Sequence, residues 1–301
     1  MPETKTIAIL SPGEMGSAVG RALNTRGINT ITCLDGRSQR TKELAQKAGF
    51  RDVSPLSSMV QEADLILSIL VPAQAESVTR EVANAIRSAG VRTPFADCNA
   101  VSPQTSYELN RLITETGSPY IDASIIGGPP SESESTRFYV SGPHTSPMEE
   151  LDGMGITVKA MGNEIGKAKA IKMCYAGMTK GSTALYTALL TAAESLGVSE
   201  ELNAEFEDGH KDVLRRMQGI RRTPAVAHRW IGEMEEIAAT FEDIGVTPYF
   251  HNGAASIYRM VAASPLGKER PEDLDPNRTL GDVIRLFAEV TRSTKEEEQK
   301  R

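Results

Sequence analysis

Ser11-Pro-Gly-Glu-Met-Gly-Ser17 is the stretch on which the fold turns. The apolar run before it, Thr6-Ile-Ala-Ile-Leu10, has the length of a buried strand, and Ala18-Val-Gly-Arg-Ala-Leu23 after it carries helical spacing. A second apolar run, Thr30-Ile-Thr-Cys-Leu34, closes on Asp35. Strand, glycine turn, helix, strand and acid, in that order, lay out the first βαβ unit of a dinucleotide-binding domain. The residue types follow from the physics of such a site. Gly13 lets backbone approach a pyrophosphate, and Gly16 lets the helix pack on the strand. The free N–H groups of the helix start, around Glu14 and Met15, face negative charge. Asp35 lies nineteen residues after Gly16, where a carboxylate can accept from a ribose hydroxyl. Ser11 stands in the place of the first of three usual glycines, so the motif draws its weight from the strands and the acid in register with it. A glycine-containing strand-to-helix turn in some other α/β protein is the competing reading.

The chain of 301 residues is long enough for two ordinary domains with ample cores. Its 33 basic and 40 acidic residues give a net charge of −7, which argues against a nucleic-acid surface. Cys33, Cys98 and Cys174 are widely separated with no Cys-x-x-Cys, so neither a disulfide framework nor a metal site is expected, and all three read as small buried hydrophobes. Strand one begins too near the amino terminus to leave room for a signal peptide. Gly181 to Ala193, the least polar long stretch, is broken by Ser and Thr and is too short to span a bilayer. These features predict a soluble cytoplasmic protein with no membrane or nucleic-acid partner.

From residue 6 to about 160, runs of strand length alternate with helical stretches. Gln39–Ala48 and Ala73–Ala89 read as helices. Leu65–Val71, Phe95–Asp97, Tyr120–Ala123, Phe138–Val140 and Ile156–Val158 read as strands. The alternation predicts a Rossmann-type, doubly wound, mostly parallel sheet in an α/β domain. Near residue 164 the character changes to an all-α pattern. One long helix from Gly166 to Leu196 is followed by helical stretches at Glu200–Met217, Ala225–Phe241 and Ala254–Ala262. The expected division is therefore a nucleotide domain of residues 1–163 and a helical substrate and dimerisation domain of residues 164–301. Ser131–Thr136 reads as a small polar loop and Lys295–Arg301 as a charged, frayed tail.

Four further segments fall where ligands gather in such a sheet, at the carboxyl ends of strands. They are Leu70-Val-Pro72, Asp97-Cys-Asn-Ala-Val-Ser-Pro103, Asp122-Ala-Ser-Ile-Ile-Gly-Gly-Pro-Pro130, and Gly162-Asn-Glu-Ile-Gly166 with Lys172. With these motifs in order, the chain resembles the β-hydroxyacid dehydrogenase family, which includes 3-hydroxyisobutyrate and 6-phosphogluconate dehydrogenases. The later half is similar to a less studied branch with a phosphogluconate-dehydrogenase-like helical domain, in stretches such as Arg229-Trp-Ile-Gly-Glu-Met234 and Gly253-Ala-Ala255. The resemblance implies an NAD(P)-dependent oxidoreductase that oxidises a small hydroxyacid or reduces the matching oxoacid or semialdehyde. It implies that Lys172 exchanges a proton with the substrate hydroxyl, a role that suits a lysine with a depressed pKa. It implies cofactor contacts at Leu70, Val71, Pro72 and Asn99, and a substrate loop at Ile126, Gly127 and Gly128. From the residues alone, a lysine snorkelling on an exposed face is the rival reading of Lys172.

Two departures from the family pattern bear on the substrate. Ile126 replaces a serine that holds substrate carboxylate, and Ala176 replaces an asparagine one turn beyond the lysine. Tyr175 and Thr179, at i+3 and i+7 from Lys172, are candidate replacements on its helix face, with ordinary helix packing as the alternative. Lys169 is expected to act on Lys172 through like-charge repulsion, while pointing elsewhere on the helix if Lys172 points in. Cofactor choice rests on Asp35-Gly-Arg-Ser-Gln-Arg40. Asp35 favours NAD slightly, whereas Arg37, Ser38 and Arg40 offer the donors a 2′-phosphate needs and keep NADP open. His251 is the histidine to watch as a second proton carrier, and Trp230 reads as core or dimer interface. An imine reductase shares the expected architecture, although such enzymes usually carry Asp or Tyr at the position of Lys172. A non-catalytic NAD(P) sensor is a third reading. The long alanine-rich helix predicts a homodimer.

Overall fold

The computed structural model describes residues 4–131 and 136–299. Residues 132–135 of the polar loop, and Lys300 and Arg301, lie outside the described residues. The chain divides into two compact units, Met1–Met173 and Cys174–Arg301, and the division falls within the long helix, so Lys169 and Lys172 belong with the sheet.

The first unit runs β1 (Thr6–Leu10), α1 (Glu14–Thr25), β2 (Asn29–Thr32), α2 (Gln39–Lys47), β3 (Arg51–Asp52), α3 (Leu56–Glu62) and β4 (Leu65–Ser68). It continues with α4 (Ala75–Ala89), β5 (Phe95–Asp97), α5 (Pro103–Thr114), β6 (Tyr120–Ile126), β7 (Arg137–Ser141), α6 (Ser146–Glu149) and β8 (Thr157–Ala160). The eight strands form one sheet in the order β3-β2-β1-β4-β5-β6-β7-β8, parallel except where β7 runs against β6. Both faces are covered, and the alternation along β1 shows it. Ala8 and Leu10 enter the core on one face with Ile31, Ile66 and Phe95, while Ile7 and Ile9 enter the other with Leu65, Leu67 and Ile121. The strand order reverses between β1 and β4, so the Ser11 turn and the Ile69–Pro72 loop emerge side by side at the switch point.

Several bounds differ from the sequence reading. β2 ends at Thr32 and β4 at Ser68, because the residues beyond them turn away into loops. The exposed pair β3 and the short α3 carry too little apolar pattern to be read in advance. α5 was signalled by Ser102, whose hydroxyl accepts from Thr105 N, followed by Pro103 in the first turn.

The second unit is built of helices: α7 (Lys167–Leu196, entering from the first unit), α8 (Ser199–Gly209), α9 (Lys211–Met217), α10 (Pro224–Asp243), α11 (Tyr249–Ala263) and α12 (Leu280–Gln299). The stretch expected as one helix over 200–217 is broken at His210, whose backbone is non-helical at φ −139° and ψ 42°. The frayed-tail expectation is corrected by α12, which carries the chain helically from Leu280 to Gln299. Its signal was present in Thr279-Leu-Gly-Asp282. The Asp282 carboxylate accepts from Thr279 N at 2.9 Å, and the Thr279 hydroxyl accepts from Asp282 N at 3.2 Å. Val283, Ile284, Phe287 and Ala288 are then buried on one face.

α10 and α11 pair closely. Trp230 meets Tyr258 edge to face at 5.2 Å, and the Lys180 amine, salt-bridged to Glu233, lies over the indole. His251 is buried edge-on to the rings of Phe241 and Phe250, and burial lowers its pKa below the ordinary histidine range. The cysteine expectation holds for Cys98, which is buried, and is corrected for Cys174, which is exposed on α7; Cys33 is half-buried. Among the described residues, no helix is long and apolar enough to cross a membrane.

Candidate functional site at the carboxyl edge of the sheet

The glycine turn takes its shape from two residues. Ser11 adopts φ 51°, the left-handed region that glycine enters without strain, which accounts for the usual residue there being glycine. Gly13 N then donates to Ser11 O at 2.7 Å, and Gly13 becomes the N-cap of α1 with no side chain capping the helix. The N–H groups of the first turn therefore have no side-chain acceptor at the cap, the arrangement that favours an anion. Gly16 is buried, and a Cβ placed there would come within 3.3 Å of Ile9. Gly20 packs more tightly still, since a Cβ there would overlap the Phe50 ring at 2.1 Å. Gly13, Glu14 and Met15 are half-buried, as are Leu70, Val71 and Pro72 on the neighbouring loop.

Asp35 lies three residues beyond β2, exposed in a turn closed by Arg37 N donating to Leu34 O at 3.1 Å, with Gly36 at φ 68°. Ser38 caps α2, its hydroxyl accepting from Thr41 N at 3.2 Å. Arg37 is half-buried, and its Nε is enclosed with no hydrogen-bond partner among the described residues. Arg40 is half-buried on the first turn of α2.

Asn99 is buried, and both ends of its amide are engaged. Its Oδ1 accepts from Leu70 N at 2.5 Å, while its Nδ2 donates to Ser68 Oγ at 3.0 Å and to the Asp97 carboxylate. It thus ties the loop after β4 to the loop after β5.

The lysines of α7 both point toward the sheet. Lys172 is half-buried and its Nζ donates to Ile125 O at 2.7 Å, at the end of β6 where the Gly127–Gly128 loop begins. Ile126 is the last residue of β6 and is buried. Gly127 takes φ 116°, and the loop is held by Thr136 Oγ1 donating to Gly128 O at 2.6 Å. Tyr175 is exposed, and Thr179 spends its hydroxyl on its own helix, donating to Tyr175 O at 3.1 Å.

Lys169 corrects the expectation that it points elsewhere. Residues three apart share a helix face, and both lysines use it. The Lys169 side chain is 0% exposed and carries its charge into a cluster that the sequence reading did not assemble. Its Nζ donates to the carbonyls of Asp97 at 2.8 Å, Asn99 at 3.1 Å and Ala123 at 2.5 Å. The Asp97 Oδ2 pairs with Nζ at 2.8 Å, and Asp122 Oδ1 lies 3.6 Å away. Asp122 Oδ2 accepts from Gly166 N at 2.7 Å and Ser141 Oγ at 2.8 Å, and Ser141 Oγ accepts from Ala168 N at 3.1 Å. A carboxylate from β6 and a hydroxyl from β7 therefore cap α7, doing for a helix start what a local cap residue does elsewhere. Burial alone would drive the Lys169 amine down, but the two carboxylates overcome it and hold the amine above the ordinary lysine range. Burial raises Asp97, and Lys169 offsets only part of that rise.

Comparison with known proteins gives this arrangement its family. Residues 6–166, more than half of the chain, match the NAD binding domain of 6-phosphogluconate dehydrogenase. The chain belongs to this family. Residues 193–261 match a domain of unknown function, DUF1932. An uncharacterized 28.5 kDa protein of Methanothermus fervidus is 24% identical over 238 residues, covering 79% of this chain and 87% of that one. The 3-hydroxyisobutyrate dehydrogenase of Mycobacterium tuberculosis, solved with L-serine, superposes with a TM-score of 0.67 at 20% identity over 94% of this chain and 98% of that one. An imine reductase of Myxococcus stipitatus, solved with NADP+, superposes with a TM-score of 0.53 at 18% identity, over 94% and 99%. The matched residues include the turn built from Ser11, Gly13 and Gly16 and end before Lys172.

Proposed function

We propose that this chain is an NAD(P)-dependent oxidoreductase acting on the CH–OH group of a small hydroxyacid, or reducing the corresponding oxoacid or semialdehyde. The observation that carries the reading is the Lys172 amine on Ile125 O, at the mouth of the Gly127–Gly128 loop. Lys172 as a residue is half-buried, and its amine is held by a fixed acceptor. Lys172 then takes the hydroxyl proton during oxidation and returns it during reduction. The Gly127–Gly128 loop, with its backbone open at φ 116°, holds the substrate carboxylate close to main chain.

The glycine turn fits a dinucleotide. Gly13, Glu14, Met15 and Gly16 line the start of a helix with no side-chain cap, suited to the pyrophosphate. Leu70, Val71, Pro72 and Asn99 form the adjoining wall at the switch point. When bound, the nicotinamide supplies the hydride acceptor or donor. Asp35 supports NAD as the modestly preferred form, and the half-buried Arg37 and Arg40 on either side of the α2 cap keep NADP within reach. Asp35→Ala should shift the ratio of affinities toward NADP, because a repulsive carboxylate is removed while Arg37 stays. Titrating intrinsic NADH and NADPH fluorescence reads the ratio, and an unchanged ratio would separate Asp35 from the ribose.

The second unit supports a homodimer. Tyr175, Met178, Leu185, Leu189 and Leu196 leave 42%, 60%, 47%, 38% and 76% of their surfaces exposed along α7. With Ser182 and Ala192 they recur at alternating intervals of three and four, the stripe a helix lays against a partner helix. The wild type should sediment as a dimer at micromolar concentration and a Leu185→Glu, Leu189→Glu variant as a monomer. A monomeric wild type would remove the proposal.

The direct test is a screen of hydroxyacids, 3-hydroxyisobutyrate first, against NAD and NADP by nicotinamide absorbance. Turnover of a hydroxyacid is the expected result. Reduction of cyclic imines alone would favour an imine reductase, and cofactor binding with no turnover of either class a sensor.

A further inference from the structure

Lys169 is joined to the cofactor wall through a short chain of contacts. Its amine holds Asp97 Oδ2 at 2.8 Å and the carbonyls of Asp97 and Asn99. The Asp97 Oδ1 accepts from Asn99 Nδ2, and Asn99 Oδ1 accepts from Leu70 N at 2.5 Å. On the other side, the same amine reaches Ala123 O and Asp122, which caps α7 through Gly166 N. Lys172 follows on the same helix face and takes Ile125 O, two residues further along β6 from Ala123.

We propose that Lys169 is a positioning residue that locks the lysine-bearing start of α7 to the loop Leu70–Pro72, so that Lys172 and the nicotinamide wall are held at one fixed spacing. The inference rests on the reading of Lys172 and of that loop given above.

The physical reason is the density of contacts on one desolvated cation. Lys169 binds the carboxyl end of β5 and the middle of β6 at once, with no solvent to substitute for a lost partner. Both Asn99 donors are taken, by Ser68 and Asp97, and its Oδ1 accepts from Leu70 N, so the amide is oriented at both ends and the Leu70 end moves with it. A displacement of Lys169 is therefore transmitted to Leu70 N and to the turn that carries Lys172. Misplacement of reacting groups by about 1 Å is worth roughly a hundredfold in rate, so a lock of this kind acts on turnover while leaving the pyrophosphate cradle at Gly13 untouched.

Two measurements test the lock. In amide NMR spectra of the cofactor-free protein, Lys169→Met should move the Leu70 resonance, and Asn99→Ser should move those of Gly166 and Ala168. The amide of Thr30, on the far side of the sheet, should stay in place in both. With 3-hydroxyisobutyrate and NAD, Lys169→Met should lower kcat by about a hundredfold and change the KM for NAD less than twofold. A Leu70 resonance that stays in place in Lys169→Met overturns the proposal, as does an unchanged kcat. If Lys169→Met does not fold, Asn99→Ser decides alone, and unmoved Gly166 and Ala168 resonances overturn it. Should the wild type not turn over the hydroxyacid, the reading of the activity fails, and the amide shifts still decide whether the lock exists.

Discussion

Replacing Lys172 by alanine is expected to lower turnover by about a hundredfold or more, as for the loss of a positioned proton carrier, with cofactor affinity nearly unchanged. The reasoning is spatial. The amine sits on Ile125 O at the head of the Gly127–Gly128 loop, whereas the pyrophosphate cradle lies at Gly13 to Gly16 across the switch point. Lys169 is no substitute, because its three donors are committed to the carbonyls of Asp97, Asn99 and Ala123. Raising the pH should partly restore the oxidation rate of the alanine variant, since alkali ionises more of the substrate hydroxyl. Steady-state kinetics in both directions, with NADH binding measured by fluorescence, check the result. A variant with near wild-type rate would move the proton transfer to another residue and leave the family likeness one of fold alone.

Lys169→Met is expected to destabilise the protein by about 3–5 kcal/mol at neutral pH, the range for removing one partner of a buried ion pair. Hydrophobic packing is not what is lost, for methionine nearly matches the lysine stem. The loss arises because Asp97 and Asp122 remain as two buried carboxylates without their cation, and three carbonyls lose a donor. The pH dependence follows from sign. Asp97 is already held above the usual carboxylate range by burial, and removing Lys169 raises it further. A carboxyl raised in the folded state favours folding when protonated and loses that advantage as pH rises through its folded pKa. The deficit should therefore shrink from pH 7 toward pH 5, and Asp97→Asn added to Lys169→Met should recover part of it at pH 7. Urea unfolding followed by circular dichroism reads both effects, and a deficit independent of pH would show that charge is not its source.

The parts of the fold legible in the sequence are those decided by local chemistry. Thr6–Leu10, the turn at Gly13 and Gly16, and the helix after it announce themselves because a buried strand must be apolar and a close turn must be small. The long helix was equally plain, since an alanine-rich run without proline has little else to become. Elements with weak patterns escaped: β3 is two exposed residues, and α12 showed only the cap at Thr279 and Asp282 before a charged end.

The candidate site divides the same way. Sequence alone marked Lys172, the Gly127–Gly128 loop, Asp97 at the end of β5 and the segment that opens on Asp122, because they follow one another in a recognisable order. What Lys169 does was decided only by the tertiary structure. Its partners Asp97 and Ala123 lie 72 and 46 residues away in the chain, and they meet it because the parallel register of β5 and β6 sets Asp97 beside Asp122. A helical periodicity cannot say which of two lysines three residues apart turns toward the sheet, and here both do. The capping of α7 by Asp122 and Ser141 was hidden for the same reason, since the helix start borrows its acceptors from strands brought alongside by the fold rather than from its own sequence.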